Sequence, residues 1–294
     1  MSKVTVAVIG GSGFYRMPGL EGVEEVAVET PFGPPSDALI RGTLGDAVML
    51  FLPRHGRRHR LIPSAINYRA NVWALKKLGA DCIVSVSACG SMKEEISIGQ
   101  VVVVDQFFDR TLHRADTFFD AGLAAHVQFA DPVCGDLAGL LHDSAVRLGF
   151  PARRGGTYVC IEGPAFSTRA ESLVYRQWGM DVVGMTNLPE AKLAREAEIC
   201  YATLAIPTDY DCWRDAHADV DVASIVRVLQ RNVGRAQDVI RETVPRIAAP
   251  RTCRCARALD DAIMTGPDAI PADAKERLAP ILAGPFSRRR KEAP

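Results

Sequence analysis

The chain has 294 residues, 35 basic against 35 acidic side chains, 48% hydrophobic residues and 7% aromatics. That length can support one large buried α/β core with a short appendage. Zero formal charge argues against nucleic-acid or membrane-surface binding, and no apolar run approaches the ~18 residues of a membrane span.

From the N-terminus, residues 4–9 form a continuous apolar run that reads as a buried strand and not as a signal peptide. A cytoplasmic protein is therefore expected. The run ends in Gly10-Gly11-Ser12-Gly13, a tight turn. Residues 47–52 are a second strand, ended by Pro53 and a basic cluster. Ser64 can cap a helix over residues 65–78, and strands follow at 82–88 and 100–105. Residues 136–148 read as a helix and 157–161 as a short strand. Thr168 and Glu171 have the spacing of a capping box for a helix that ends at Gly179. Strand 181–185, helix 189–199 and strand 201–206 come next. A long helix spans about 222–244, with Val222, Ile225, Val226, Leu229, Val233 and Ile240 at helical spacing as its core face. Strands alternating with helices imply an α/β fold, its mixed or mainly parallel sheet covered on both faces.

Composition changes after Val244, where seven of the 18 prolines fall between Pro245 and Pro294. Residues 1–245 thus read as one domain, and 246–294 as a Pro-rich, partly helical extension. It has short helical patterns at 254–264 and 272–282 and a solvated tail from Ser287. The eight cysteines are dispersed through apolar stretches, as reduced cytosolic thiols are. Only Cys253 and Cys255 are close, and Cys-Arg-Cys is too tight for the usual zinc knuckle. Either the pair has a redox or vicinal-disulfide role, or it is incidental to a helix. No metal site is expected.

Four segments at strand ends could hold a small anion. The glycine turn at Gly10 lacks the third glycine of a dinucleotide fingerprint, because Arg16 stands there. It still offers backbone N–H groups and the Ser12 hydroxyl. Arg54 and His55 place a guanidinium beside an imidazole at the next strand end, within a run that also reads as a solvated basic loop. Ser87 and Ala88 lie where a strand runs into a small-residue turn. Thr186 follows another strand, just before a helix N-terminus. Asp209 and Asp211 follow a strongly apolar strand. In extended chain they share one side, about 7 Å apart; a metal pair or an Asx turn are the alternatives.

The segments GGSGF, TPFGPPSDALI, PRHGRRH, NYRANVWALK, SACGSM, DQFFDRT, IEGPAFSTRAES, MTNLPEAKLAREAEICYA and PTDYDCW, in this order, resemble the 5′-methylthioadenosine phosphorylases. These belong to the trimeric nucleoside phosphorylase superfamily. The resemblance covers about residues 4–245 and implies a single-domain α/β fold with a mixed central sheet flanked by helices. It implies phosphorolysis of 5′-methylthioadenosine to adenine and 5-methylthioribose 1-phosphate, with inorganic phosphate as co-substrate and no cofactor. By resemblance, Ser12, Arg54, His55, Ser87, Ala88 and Thr186 hold the phosphate, which gathers the four anion-friendly turns. The family often has threonine where Ser12 and Ser87 stand, so the hydroxyl is kept. Met185 would pack under the ribose, and Phe166 and Ser167 would flank the base. Val222, Ile225 and Val226 would line the methylthio pocket, with His126 entering from a neighbouring subunit of a homotrimer, or of a dimer of trimers.

In that reaction Asp209 would hold a proton at purine N7, for which burial must raise its pKa. Asp211 would accept from the 6-amino group; an enzyme for 6-oxopurines would be expected to carry asparagine instead. A 6-oxopurine or methylthioinosine phosphorylase, and a non-catalytic nucleotide-binding protein, are the competing readings.

Overall fold

In the computed structural model, which describes residues 3–11, 14, 17–214 and 222–292, strand β1 (Thr5–Gly10) is buried at every position. Both of its faces are covered: Val6 and Val8 enter one apolar layer, Ala7 and Ile9 the other. That is why the sequence there is continuously apolar and not alternating. β2 (Glu21–Val26), β3 (Leu39–Leu44) and β4 (Ala47–Pro53) precede the long central β5 (Cys82–Ser91). β6 (Val101–Val103), β7 (Gln106–Arg110), β8 (Ala152–Arg154) and β9 (Thr157–Ile161) follow. The last strands are β10 (Val182–Gly184) and β11 (Cys200–Asp209).

Among the described residues these strands form one mixed sheet, with β2-β3-β4-β1-β5-β10-β9-β7 in order and β11 branching from β5 toward β6 and β8. β1 runs parallel to both β4 and β5, and β11 runs parallel to β5 from Cys200↔Cys82 onward. β10 joins the far end of β5 antiparallel. The carboxyl ends of β1, β4, β5 and β11 therefore lie at one edge, where an open α/β sheet has its ligand crevice.

Helices cover both faces. One layer takes α1 (Tyr68–Lys77), α4 (Glu190–Glu196), α6 (Ala272–Arg277) and α7 (Ala279–Glu292). The other takes α2 (Gly135–Arg147) and α5 (Val222–Thr243). A smaller cluster holds α3 (Arg169–Gln177), with Tyr175 against Met92, Val159, Met180 and Val183. The Thr168–Glu171 capping box opens α3, as the spacing predicts. No helix among the described residues is long and apolar enough to cross a membrane.

Several local readings are corrected. α1 is capped by Asn67, whose side chain accepts from the Ala70 amide at 3.1 Å, and not by Ser64. Residues 63–65 form a separate 3₁₀ turn, because Ile66 is extended and breaks the helix. The strands β2, β3, β7 and β8 have no counterpart in the sequence reading. β2 is largely exposed and acidic, and β7 is mostly exposed, so neither shows an apolar alternation. The tail is also ordered further than its composition implies, since α7 continues to Glu292. Arg288 holds it by bonding Glu198 and Asp260, each at 2.6 Å.

The segment after residue 245 is built into the main apolar layer. Leu259, Ile270, Ala274, Leu278 and Ile281 are fully or almost fully buried there, beside Trp73 and Leu75 of α1. The Trp73 indole N–H donates to the Arg277 carbonyl at 3.0 Å. Leu278→Ala should consequently cost about 2–5 kcal/mol, the range for a buried leucine truncated in a packed core. Denaturant unfolding checks this, and a loss below about 1 kcal/mol would place the extension outside the cooperative core.

Candidate active site

The site is assembled around a buried arginine. Arg54 follows the last residue of β4, and its backbone N–H donates to the Gly10 carbonyl at the end of β1. Its Nε and Nη2 each donate to one Glu190 carboxylate oxygen at 2.9 Å, a bidentate pair. The pair is 3% and 1% exposed. Nη2 also reaches Ser85 Oγ at 2.6 Å, and that hydroxyl donates onward to Asn187 at 3.1 Å. Burial opposes the guanidinium charge, but Glu190 outweighs it and holds the pKa above the ordinary arginine value. Nη1 makes one bond, to the Val86 carbonyl at 3.1 Å. One of its two N–H groups thus remains for a ligand, counting the described residues.

His55 comes next. Its Nδ1 lies 2.8 Å from the Leu61 carbonyl, which can only accept, so Nδ1 carries the hydrogen and Nε2 is the acceptor. The ring stacks on His59 with centroids 4.0 Å apart. Burial drives the His55 pKa down to about 4, aided by the charges of Arg54 and His59 and opposed by the Leu61 carbonyl. The imidazole is neutral at pH 7.

Ser87 and Thr186, 99 residues apart in sequence, come together here with hydroxyls 3.5 Å apart. Ser87 also meets the Tyr158 hydroxyl at 3.1 Å, and Ala88 is the next residue along β5. Ser12 lies outside the described residues, as do the side chains of Val222 and Ile225. Val226 is exposed on α5. Met185 is half-buried, and a Cβ on Gly163 would come within 2.6 Å of its sulfur. Phe166 is exposed at the rim, while the Ser167 hydroxyl is buried.

The two acids sit at the end of β11, although not as alternate positions of an extended strand. The strand stops at Asp209, and Asp211 adopts a left-handed conformation with φ of 49°. Its amide folds back onto Asp209 Oδ1 at 2.8 Å, forming an Asx turn that brings the second carboxyl round. Gly90 on β5 makes room: a Cβ there would lie 2.9 Å from Asp209 Oδ1. Burial raises the pKa of Asp209, against hydrogen bonds from Thr208 and the Asp211 amide. Burial likewise raises Asp211, where the Ser172 hydroxyl opposes it and the neighbouring Asp209 adds to it. The Ser167 and Ser172 hydroxyls face Asp211 without reaching full hydrogen-bond geometry.

Thr208 links these acids to the sheet. Its single hydroxyl lies 2.7 Å from Asp209 Oδ2 and 3.2 Å from the Cys89 carbonyl. When Asp209 is ionised, the hydroxyl has two acceptors for one hydrogen. When Asp209 is protonated, it can donate to Thr208 while Thr208 donates to Cys89, and both bonds are made. The arrangement therefore accommodates a proton on Asp209.

His126 is not part of this group within one chain. It lines a separate cleft of about 440 Å³ with Asp116, Phe119, Phe129, Lys192 and Glu196. Its backbone is tied to the extension through the Ala262 carbonyl.

With this geometry in view, the match to known proteins is direct. Residues 5–245 match the model of the phosphorylase superfamily. The chain is 57% identical to the S-methyl-5′-thioadenosine phosphorylase of Geobacter sulfurreducens, over 94% of this chain and 97% of that one. It is 52% identical to the enzyme of that name from Koribacter versatilis, over 99% and 100%. A solved methylthioadenosine phosphorylase from an antarctic soil metagenomic library superposes with a TM-score of 0.90 at 45% identity, covering 96% of this chain and all of that one. The chain belongs to the phosphorylase superfamily. The expected α/β architecture, a mixed sheet flanked by helices, is the one observed.

Several residues that shape this superfamily site carry no local signal in the sequence. Glu190 reads as an ordinary first-turn helix acid. Arg114 lies just beyond the DQFFDRT segment, yet it clamps the turn after β10 by donating to the Met185 and Leu188 carbonyls at 2.7 and 2.6 Å. It also bonds the Glu162 carbonyl and the Tyr68 hydroxyl. Only pairings across the fold reveal these roles.

Two outcomes test the electrostatics. Glu190→Gln removes one partner of a buried ion pair and should cost about 3 kcal/mol in denaturant unfolding. Glu196 accepts from the Phe118 amide and the Thr117 hydroxyl, both at 2.7 Å, yet burial pushes its pKa up to about 7. The folded chain then binds this proton more tightly than the unfolded chain, whose glutamate titrates near 4.3. The stabilisation is fully present below about pH 4 and is lost as pH rises toward about 7, up to about 3 kcal/mol. Glu196→Gln should flatten that part of the stability–pH curve.

Proposed function

We propose that the chain cleaves 5′-methylthioadenosine with inorganic phosphate, giving adenine and 5-methylthioribose 1-phosphate. The observation that carries this reading is the pair of desolvated acids at the end of β11, facing the same sheet edge as a fixed guanidinium and paired hydroxyls. The names of the relatives support the same substrate.

In this reading the free Arg54 N–H, the Ser87 and Thr186 hydroxyls, the Ser12 hydroxyl and the Ala88 backbone hold phosphate. Neutral His55 accepts the hydrogen of a phosphate O–H at Nε2. Met185 packs under the ribose, and Phe166 and Ser167 flank the base. Val222, Ile225 and Val226 close the apolar pocket around the methylthio group. His126 is supplied by the neighbouring subunit of a homotrimer, which accords with its place in a cleft whose lining includes neither acid.

The C1′–N9 bond breaks through an oxocarbenium-like state as its electron pair moves into the purine. A phosphate oxygen then forms the new bond to C1′ from the opposite face. The phosphate charge stabilises the ribosyl cation. Asp209, whose proton affinity burial raises, donates to N7 in its acid form and makes adenine the better leaving group. Asp211 accepts from the 6-amino group. A 6-oxo group has no hydrogen to offer it, and an unmatched buried acceptor costs about 1–3 kcal/mol.

Asp209→Asn should lower kcat on methylthioadenosine by about 10²–10⁴-fold, the usual worth of a general acid. Asp211→Asn should raise KM for 6-amino substrates and improve cleavage of methylthioinosine. In the parent enzyme kcat should fall as pH rises through the elevated Asp209 pKa, because the acid form is lost. Free-base release with and without phosphate provides the assay. Full activity of the double variant on the 6-amino substrate would refute the assignment.

A further inference from the structure

The cysteines that look unremarkable in sequence converge at the opposite end of the sheet. The sulfurs of Cys134, Cys200, Cys253 and Cys255 all lie within 4.8 Å of one another. They come from three separate parts of the chain. Cys134 is the N-cap residue of α2, Cys200 is the first residue of β11, and Cys253 and Cys255 flank the start of a short 3₁₀ helix in the extension. Cys134, Cys200 and Cys255 are buried and Cys253 half-buried, and none is disulfide-bonded. Read alone, Cys-Arg-Cys is too tight for a zinc knuckle; the fold supplies the two remaining sulfurs from 119 and 53 residues away.

We propose that these four cysteines form a structural zinc site that fastens the C-terminal extension to the sheet. Tetrahedral zinc with Zn–S bonds of about 2.3 Å needs sulfurs about 3.8 Å apart, and this cluster has that size. An iron–sulfur cluster needs a wider ring of ligands. The surroundings suit thiolates. Cys134 stands at the positive end of the 13-residue helix α2. Arg251 donates from Nη1 to Cys200 Sγ at 3.4 Å and pairs with Asp81. Backbone bonds hold two ligands in place: the Cys134 amide to the Tyr201 carbonyl at 2.8 Å, and the Cys200 amide to the Asp81 carbonyl at 3.0 Å.

The site is remote from catalysis. Cys200 and Asp209 are the first and last residues of β11, so at about 3.3 Å per residue they are about 30 Å apart. All four ligands are protein sulfurs, which leaves no open position for a substrate and marks a structural role.

The test uses full-length protein isolated under reducing conditions. Elemental analysis and native mass spectrometry should find about one zinc per chain, released by an organomercurial. Cys253→Ser/Cys255→Ser should lose the zinc and several degrees of Tm, with kcat and KM unchanged at a permissive temperature. Should that variant fold poorly, cobalt(II) titrated into metal-stripped wild type gives an independent readout. Thiolate-to-cobalt charge transfer and the d–d bands of tetrahedral cobalt are expected at one equivalent. Two results overturn the proposal: disulfides among these cysteines in the isolated protein, or reduced protein whose four thiols alkylate freely and give no tetrahedral cobalt spectrum.

Discussion

The bidentate contact between Arg54 and Glu190 governs the rest of the site. It joins the residue after β4 to the first turn of α4, and through Ser85 and the Val86 carbonyl it fixes the middle of β5. Tyr201 adds a hydroxyl to the same carboxylate at 2.9 Å, so β11 is tied in as well. A charge this far from water is costly unless every lone pair and hydrogen is used. Nearly all of them are used internally. The guanidinium is therefore spent mostly on holding strand ends in register, and offers a ligand only its remaining edge.

The acids at the end of β11 illustrate the opposite outcome of the same burial. Glu190 faces a guanidinium, whereas the groups acting on Asp209 and Asp211 are chiefly hydroxyls, an amide and the neighbouring acid. With no cation among the groups that act on them in the described residues, desolvation favours the neutral carboxyl. Thr208 makes that neutral form compatible with its surroundings, because its hydroxyl can turn from the carboxylate to the Cys89 carbonyl. One sheet edge thus holds a fixed positive charge and two carboxyls whose affinity for a proton is raised. In the proposed reaction these face the anion and the leaving purine.

Most of the sheet was legible because its strands are short apolar runs ending in turn residues, and the Thr168–Glu171 spacing located α3 directly. The exposed strands β2 and β7 were not legible, since an edge with little burial leaves no apolar pattern. Strand-end residues such as Arg54, Ser87 and Thr186 could be singled out from local chemistry. Their partners could not: Glu190 is 136 residues from Arg54 and Tyr158 is 71 from Ser87. The Asx turn at Asp209 was one of the readings open from sequence, and the left-handed Asp211 decides for it over an extended pair. Nothing local in Cys134 or Cys200 hints at their meeting with Cys253 and Cys255, because only the layer order of the fold brings them together.

The placement of the extension has a bearing on biosynthesis. Leu278, Ile281 and Leu282 complete the layer that covers α1 and α4, yet they are made after every strand of the sheet. During translation the sheet can emerge with that face still open, while the layer of α2 and α5 needs little beyond residue 255. Emergence of the extension, more than the appearance of the strands, sets the moment at which the covered face closes.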